Sequence, residues 1–385
     1  MSDVLSFRSR ARLIPERLRE ARDAKEMTME DLGAAVGVTR QAISFYESGD
    51  REPDPETLIR IVAILGQPLS FFTTDRPQNM GKRGTMFFRS FKSKSKRTNR
   101  KCEVLSEWFT QVAGYFNERV NFPAVQLPSV SPPKDKSDYS VEEIEEAAAS
   151  CRRFWGLGQG PIANILLLLE SKGIIVARSE FGSDTVSAFS FWEGSRPFIF
   201  LGADRESACR SRYDAAHELG HLILHCGIAA EELESKLDQI EKEADRFAGA
   251  FLLPEQSYPL EVFSTRLSAF EQLKARWKVS IAAQIYRCSD LCILSDDQTL
   301  NLRKQLSANR WRKREPLDDV IPPELPKVLN LALQALTKGK PEAAADIVAG
   351  IRLSPGTIEG LLATKLPTNN GSPDLTKSIQ LRRVM

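Results

Sequence analysis

The sequence predicts a multidomain chain with an all-α domain first, an α+β domain in the middle and a helical region at the end. Three observations lead to this fold class. Short amphipathic stretches with capping and glycine stop signals fill residues 14–72. Three short apolar runs typical of strands follow between residues 173 and 201. From residue 255 onward the pattern is helical again.

The composition is that of an ordinary globular protein. The 385 residues suffice for two or three domains, with 42% hydrophobic and 27% charged residues. A net charge of +2 gives no global indication of nucleic-acid binding, so any basic patch must be local. The N-terminus lacks a basic region followed by an apolar core, and the longest apolar run, residues 162–169, is too short to cross a bilayer. With six scattered cysteines, we expect a cytoplasmic protein without disulfides or a membrane partner.

The first helical segment contains a helix-turn-helix. Thr28 and Asp31 resemble the start of a capping box, and Gly37 ends the helix that follows them. Thr39 caps the next helix, which runs over residues 40–47. Two short helices joined by a tight turn that contains glycine are typical of a helix-turn-helix.

Polar side chains lie on the outer face of the second helix of this pair. Ile43 and Tyr46 would face inward, which leaves four polar residues outside: Thr39, Arg40, Gln41 and Ser44. Arginine pairs bidentately with guanine, glutamine with adenine, and serine or threonine reaches bases or phosphate. The sequence therefore predicts that these four residues contact double-stranded DNA in an operator.

Residues 10–75 resemble the lambda-repressor-like, or XRE, DNA-binding domain. The resemblance is carried by Leu32, Gly37, Ile43, Ser44, Glu47, Ser48, Gly49, Arg51, Glu52, Pro53 and residues 57–66. It implies a DNA-binding module, and domains of this kind usually pair on palindromic sites, so a homodimer remains open. A protein-docking domain of the same ancestry is the alternative, because fold does not determine function.

Residues 76–138 are predicted to form a basic and proline-rich linker with one helix. Residues 82–101 contain no acidic side chain and interleave basic residues with phenylalanine. Such a stretch could extend phosphate contact, or its phenylalanines could dock on a neighbouring domain. A helix is expected over residues 105–120, and the proline-rich run at residues 123–133 is typical of a stiff connector.

All three histidines of the chain lie between residues 217 and 225. His217, Glu218 and His221 form the pattern H-E-x-x-H. Because residues four apart lie on one face of a helix, both imidazoles can bind one metal ion. Glu218 can then reach a metal-bound water and act as the general base. The flanking residues are apolar and predict a buried helix, where unpaired histidines would be costly. The pattern indicates the zinc-binding helix of a peptidase.

A carboxylate from a second helix can complete the zinc site. Residues 241–254 show helical spacing, and Glu243 adjoins their apolar face, so we prefer Glu243 to Glu241 as the third ligand. Two histidines and a glutamate leave the fourth zinc position open for water. Asp245 could orient one of the histidines, or it could be an exposed helix charge. We interpret His225 as structural or substrate-facing rather than as a ligand.

These motifs resemble the ImmA/IrrE family of bacterial and phage metallopeptidases. The resemblance is carried by residues 212–225, 243–248 and 252–254. It implies a gluzincin-like α+β domain at residues 139–260, in which two histidines and a glutamate bind zinc. It also implies cleavage of a partner repressor of the helix-turn-helix type. The family often has asparagine where this chain has Asp245.

Three strands are expected in this domain, at residues 173–177, 188–192 and 197–201. The last two are joined by a hairpin turn, and an edge strand of such a sheet could align an extended substrate. Tyr213 and Tyr286 are candidates for stabilising the oxyanion. Residues 261–315 have a second helix-turn-helix pattern that we take as structural. Residues 316–385 are expected to be helical and to end in a polar tail.

The two motifs together predict a DNA-binding regulatory zinc endopeptidase. By the family resemblance, its substrate would be a partner transcriptional repressor in a phage-like or stress-response switch. The alternative is a non-proteolytic XRE-family transcription regulator whose peptidase-like domain senses a ligand or binds a partner.

Overall fold

The computed structural model describes residues 12–76, 87–88, 96–131, 133, 138–179, 188–202, 207–340 and 342–367. Of the segments predicted from the sequence, most of the basic stretch at 82–95 and the polar tail after residue 367 lie outside the described residues. Among the helices in the described ranges, none combines the length and the apolar character needed to cross a lipid bilayer.

Five helices open the described chain: α1 (Pro15–Ala24), α2 (Met29–Val36), α3 (Arg40–Ser48), α4 (Pro55–Leu65) and α5 (Leu69–Thr73). Thr28 and Asp31 cap α2 reciprocally, as the sequence predicted. Gly37 follows α2 with a φ of 76°, a left-handed conformation that glycine adopts without steric cost. Helices α2 and α3 therefore form the predicted helix-turn-helix.

A long helix, α6 (Lys96–Asn117), begins earlier than the sequence indicated, and its apolar side chains are buried. Its Phe109 and Phe116 have no exposed surface, and Trp108 Nε1 donates a hydrogen bond to the buried Glu20 of α1. Glu20 also accepts from Arg17 Nη1 at 3.0 Å. This helix therefore joins the helix-turn-helix helices to the rest of the molecule through direct packing.

Within the described residues, the sheet has four strands in the order β1-β3-β4-β2. They are β1 (Phe87–Phe88), β2 (Ile175–Ser179), β3 (Ala188–Glu193) and β4 (Arg196–Gly202). Strand β3 pairs antiparallel with β4 and with β1, and β2 pairs parallel with β4. Strands β2, β3 and β4 lie where the sequence placed strands.

Side chains of the sheet alternate between two hydrophobic cores. Phe198 and Phe200 point to α6, where the Phe200 ring centroid lies 4.7 Å from that of Phe109. Ile199 and Leu201 point to the opposite face and belong to the second core. The sheet is thus covered by helices on both sides.

The second core is built from eight elements that follow α6. They are α7 (Val141–Phe154), α8 (Ile165–Ser171), α9 (Ala208–Leu224), α10 (Ala230–Leu252), a 3₁₀ turn (Tyr258–Glu261), α11 (Leu267–Trp277), α12 (Ile281–Asp290) and α13 (Asp296–Ala308). Helix α9 lies against β3 and β4 on one side and against α10 on the other.

The last helices return to the first core. They are α14 (Val328–Thr337), α15 (Ala343–Ile351) and α16 (Pro355–Leu362). The Gln67 side chain donates to Thr357 Oγ1 at 2.8 Å and accepts from Ser354 N at 2.9 Å. The described part of the C-terminal region therefore packs against α6 and, through Gln67, beside the end of α4.

Candidate metal centre and DNA-contact helix

Helix α9 brings His217 and His221 together over one point. The two residues are one helical turn apart, and their Nε2 atoms lie 3.0 Å from each other. Each has only 1% of its surface exposed. A buried pair of imidazoles needs polar partners, because desolvation without compensation is costly.

Glu241 of α10 supplies the carboxylate that meets this pair. Its Oε2 lies 3.3 Å from His217 Nε2, and its Oε1 lies 3.4 Å from His221 Nε2. One ligand atom from each of the three residues falls within 4.8 Å of the others, which is the spacing of a metal site. Two nitrogens and one oxygen are a donor set typical of catalytic zinc.

In the structure Glu241, and not the preferred Glu243, faces the two histidines. Glu243 is buried, as its place beside the apolar face predicted, but its Oε2 lies 2.9 Å from His225 Nε2. Its Oε1 accepts hydrogen bonds from the backbone N of Tyr139 and from Gln239 Nε2. The apolar pattern predicts which residues are buried and does not decide which carboxylate faces which histidine.

Gly220 allows α9 and α10 to approach closely enough for this contact. A Cβ atom at position 220 would lie 3.2 Å from Ala244 Cα and 3.2 Å from the Phe247 ring. Glycine inside a helix otherwise costs stability, so it is expected where another backbone comes near. This glycine between the two histidines is a signal that sequence reasoning could have used.

Asp245 contacts the opposite side of the first imidazole. Its Oδ1 lies 2.8 Å from His217 Nδ1, which favours the orienting role over that of an exposed helix charge. When Nδ1 carries a proton bound to a carboxylate, the Nε2 lone pair is directed at Glu241 and His221. Once Nε2 has lost its proton, this contact leaves His217 in the tautomer that can bind a metal.

The charges of the cluster are set by burial and by the carboxylates. Burial lowers the pKa of His217, but the hydrogen bonds to Asp245 and Glu241 outweigh it and raise the pKa to about 10. Burial lowers the pKa of His221 to about 3, against the opposing hydrogen bond to Glu241. Burial acts to raise the pKa of Glu241, yet the two imidazoles hold this pKa well below its usual range. The two carboxylates, Asp245 and Glu241, therefore favour positive charge at His217.

Glu218 lies beside the cluster and is also 1% exposed. Its Oε2 is buried and has no hydrogen-bond partner among the described residues. Burial raises the pKa of Glu218 to about 8, against the opposing charge of His217. A carboxyl group with a pKa near neutrality can both accept and return a proton.

Tyr213 and Tyr286 lie near Asp245, the residue that contacts Nδ1 of His217. Both line a cavity of about 270 Å³ together with Asp245. Tyr213 donates its hydroxyl to the Asp245 backbone O at 2.7 Å. Since Asp245 contacts the Nδ1 side of His217, this geometry does not support either tyrosine as an oxyanion partner.

The predicted DNA-contact residues lie on the exposed surface of α3. Thr39, Arg40, Gln41 and Ser44 are all exposed, whereas Ile43 and Tyr46 are buried. Thr39 Oγ1 also accepts from Ala42 N at 3.2 Å and so caps the helix. Arg40 and Gln41 stand in the first turn of α3, where a recognition helix meets base edges.

Two family models match these two regions. Residues 18–72 match the model of a helix-turn-helix. Residues 169–289, which include the histidine pair and Glu241, match a peptidase model described as the IrrE N-terminal-like domain. The chain contains both domains. The match to the IrrE N-terminal-like domain covers β2, β3, β4, α9 and α10, so the candidate metal centre lies inside it.

Several curated proteins are similar to part of this chain. The uncharacterized HTH-type transcriptional regulator YqaE of Bacillus subtilis is 39% identical over 59 residues, which are 15% of this chain and 51% of that protein. The SPbeta prophage-derived uncharacterized HTH-type transcriptional regulator YonR of Bacillus subtilis is 38% identical over 56 residues, 14% of this chain and 52% of that protein. An uncharacterized HTH-type transcriptional regulator of Sinorhizobium medicae is 37% identical over 71 residues, which are 18% of this chain and 51% of that protein. The chain thus spans about half the length of the curated relatives it matches.

Proposed function

We propose that the chain is a cytoplasmic zinc endopeptidase joined to a sequence-specific DNA-binding domain, and that it cleaves a partner transcriptional repressor. One observation carries the peptidase part: His217, His221 and Glu241 converge beside the buried carboxyl of Glu218. The IrrE N-terminal-like match to a peptidase model supports the same function.

The donor set is suited to zinc. His217, His221 and Glu241 would hold the ion, and Asp245 would keep His217 in the tautomer that binds it. Zinc, when bound by three protein ligands, supplies a Lewis acid and lowers the pKa of water. The buried Glu218 Oε2, which lacks a described partner, is positioned for water and its proton.

Glu218 would perform the proton transfers of peptide hydrolysis. As a carboxylate it accepts a proton from water while the hydroxyl adds to the carbonyl carbon of the scissile bond. It then delivers that proton to the amine that leaves as the C–N bond breaks. Burial raises the pKa of Glu218, which favours its uptake of the proton from water.

The regulatory part of the proposal rests on α3. Its exposed Arg40, Gln41 and Ser44 can read base edges in the major groove of an operator. The relatives named above are HTH-type transcriptional regulators, and one of them is prophage-derived. A peptidase domain joined to a DNA-binding domain suits cleavage of a repressor rather than general digestion.

A second candidate function is favoured by one observation. His217, Glu218 and His221 are each 1% exposed, so a substrate would reach them only if the residues packed over them move. A transcription regulator that senses a ligand or binds a partner through this domain would not need that access.

The two functions are separated by incubating the purified chain with candidate helix-turn-helix repressors taken from the genes near its own. The wild type should cleave a repressor. Glu218→Gln should keep its zinc content, and its rate of cleavage should fall by about 10²–10⁴-fold, the usual contribution of a general base to the rate. Cleavage that survives in Glu218→Gln would refute the assignment. Zinc and DNA binding without any cleavage by the wild type would favour the second function.

A further inference from the structure

The third histidine and Glu243 form a buried chain of hydrogen bonds that ends on His221. Glu243 Oε2 lies 2.9 Å from His225 Nε2, and His225 Nδ1 lies 3.1 Å from His221 Nδ1. All three residues are buried. His221 Nε2, at the other end, is the atom that faces His217 and Glu241.

The donor and the acceptor of each hydrogen bond from Glu243 to His221 can be assigned in order. A carboxylate only accepts, so His225 Nε2 carries the proton that is donated to Glu243. With Nε2 as the donor, His225 has a lone pair on Nδ1, which accepts a hydrogen bond from His221 Nδ1. This leaves the lone pair of His221 on Nε2. The chemistry of Glu243 thus selects the tautomer of an imidazole two hydrogen bonds away.

Glu243 is itself held in place from its other oxygen. Its Oε1 accepts from the backbone N of Tyr139 at 3.1 Å and from Gln239 Nε2 at 3.0 Å. Two donors at Oε1 require an acceptor there and leave Oε2 to face His225. The orientation of the carboxylate is therefore determined by contacts outside the histidine cluster.

We propose that His225 and Glu243 are positioning residues that hold His221 with its Nε2 lone pair toward zinc. The proposal rests on the metal centre of the proposed function. Asp245 does directly for His217 what this pair does for His221, since each imidazole finally reaches a carboxylate through Nδ1. Neither His225 nor Glu243 is assigned as a ligand.

Glu243→Gln is the substitution that tests this order. Tyr139 N and Gln239 Nε2 both donate at the Oε1 position, so the side-chain oxygen of the new glutamine must lie there. Its side-chain nitrogen would then face His225 and donate to it. His225 would then carry its proton on Nδ1, and His221 would be forced to carry its own on Nε2. We expect the zinc affinity of this variant to fall about 10–100-fold.

The tautomers can be read without any activity. Because the chain has three histidines, all in this cluster, ¹⁵N labelling of histidine in the untagged, metal-free protein reports on these rings alone. The wild type should show His221 protonated at Nδ1, and Glu243→Gln should show it protonated at Nε2. Zinc affinity is measured in parallel by competition with a chelator.

Two further variants keep the test decisive. Gln239→Ala removes a donor to the same carboxylate without touching His225, so tautomer and zinc affinity should stay as in the wild type. His225→Phe removes both hydrogen bonds between Glu243 and His221 and should also lower zinc affinity. This variant tests the proposal if Glu243→Gln does not fold.

An unchanged His221 tautomer in Glu243→Gln, or unchanged zinc affinity in both Glu243→Gln and His225→Phe, would overturn the proposal. A lower melting temperature with an unchanged tautomer would likewise indicate a merely structural role and overturn it. If the wild type binds no zinc, the metal centre fails, and the tautomer measurement still decides whether Glu243 controls His221.

Discussion

Helices α3 and α9 carry the two candidate functional surfaces of this protein, and they are built in opposite ways. Arg40 and Gln41 of α3 are exposed and make their function available to a large external partner. His217 and His221 of α9 are almost completely buried and meet residues from another helix of the same chain. One surface is complete on its own helix, and the other exists only where two helices cross.

This difference predicts how each surface responds to substitution. An exposed side chain contributes little to the free energy of unfolding, so its loss should change binding and leave stability intact. A buried polar side chain is part of both the site and the packing, so its loss should affect metal binding and stability together. Three measurements can sharpen or break this contrast.

The largest effect is expected for Glu241→Gln. Loss of a proposed zinc ligand should lower zinc affinity more than loss of a residue that only hydrogen-bonds to a ligand. The zinc affinity of this variant should therefore fall by more than about 100-fold. The stability that zinc adds to the wild type should be lost as well, because binding to the folded state stabilises it. Zinc affinity by chelator competition and melting with and without zinc are the measurements.

Glu231→Gln, an exposed glutamate in the first turn of α10, is the matched control and should behave as the wild type. If Glu241→Gln retained full zinc affinity while Glu243→Gln lost it completely, Glu243 would be the ligand and the assignment made from the structure would be wrong.

A smaller effect is expected for Arg40→Ala. Loss of a bidentate contact to guanine should weaken operator binding by about 1–3 kcal/mol, which is about 5–150-fold. Because Arg40 is exposed, the melting temperature should stay the same. Binding is measured on a DNA fragment selected by the wild-type chain from random sequences, at one fixed salt concentration.

Arg153→Ala, an exposed arginine of α7, removes the same charge far from α3 and serves as the control. Lost repressor cleavage with unchanged DNA binding in Arg40→Ala would instead indicate that α3 is a docking surface for the substrate.

The smallest effect is expected for Gly220→Ala. The added Cβ meets Ala244 Cα, a backbone atom that cannot rotate away, so α10 must shift. We expect the free energy of unfolding of the metal-free protein to fall by on the order of 1 kcal/mol, with a parallel loss of zinc affinity. Urea denaturation measures the first quantity.

Gly360→Ala in α16 is the control, since a Cβ there meets no atom within 4 Å. That variant should be neutral or slightly stabilised, as alanine is the better helix former. A stable Gly220→Ala protein with full zinc affinity would mean that α9 and α10 need no close approach at this point.

Local patterns predicted much of the fold and part of the site. The caps at Thr28 and Thr39 and the left-handed Gly37 located α2 and α3, since these signals act within a few residues. The three apolar runs became β2, β3 and β4 for the same reason. The i, i+4 spacing placed His217 and His221 on one face, because helix geometry alone determines that contact.

Contacts between distant elements escaped the same reasoning. Helix α6 lay in a segment expected to be a linker, but its apolar side chains cover one face of the sheet. The packing of α14–α16 against the first core depends on contacts such as that between Gln67 and Thr357, which are far apart in the sequence. No short pattern encodes such a pairing.

The sequence by itself determined the two local motifs, a helix-turn-helix with exposed Arg40 and Gln41 and a helix that presents His217, Glu218 and His221. Each depends on spacing along a single helix, where geometry follows directly from residue number. Only the tertiary structure placed Glu241 rather than Glu243 against the histidine pair, and it gave His225 a partner on each side. That choice depends on how α9 crosses α10, which is set by packing at Gly220, Ala244 and Phe247 rather than by either helix alone.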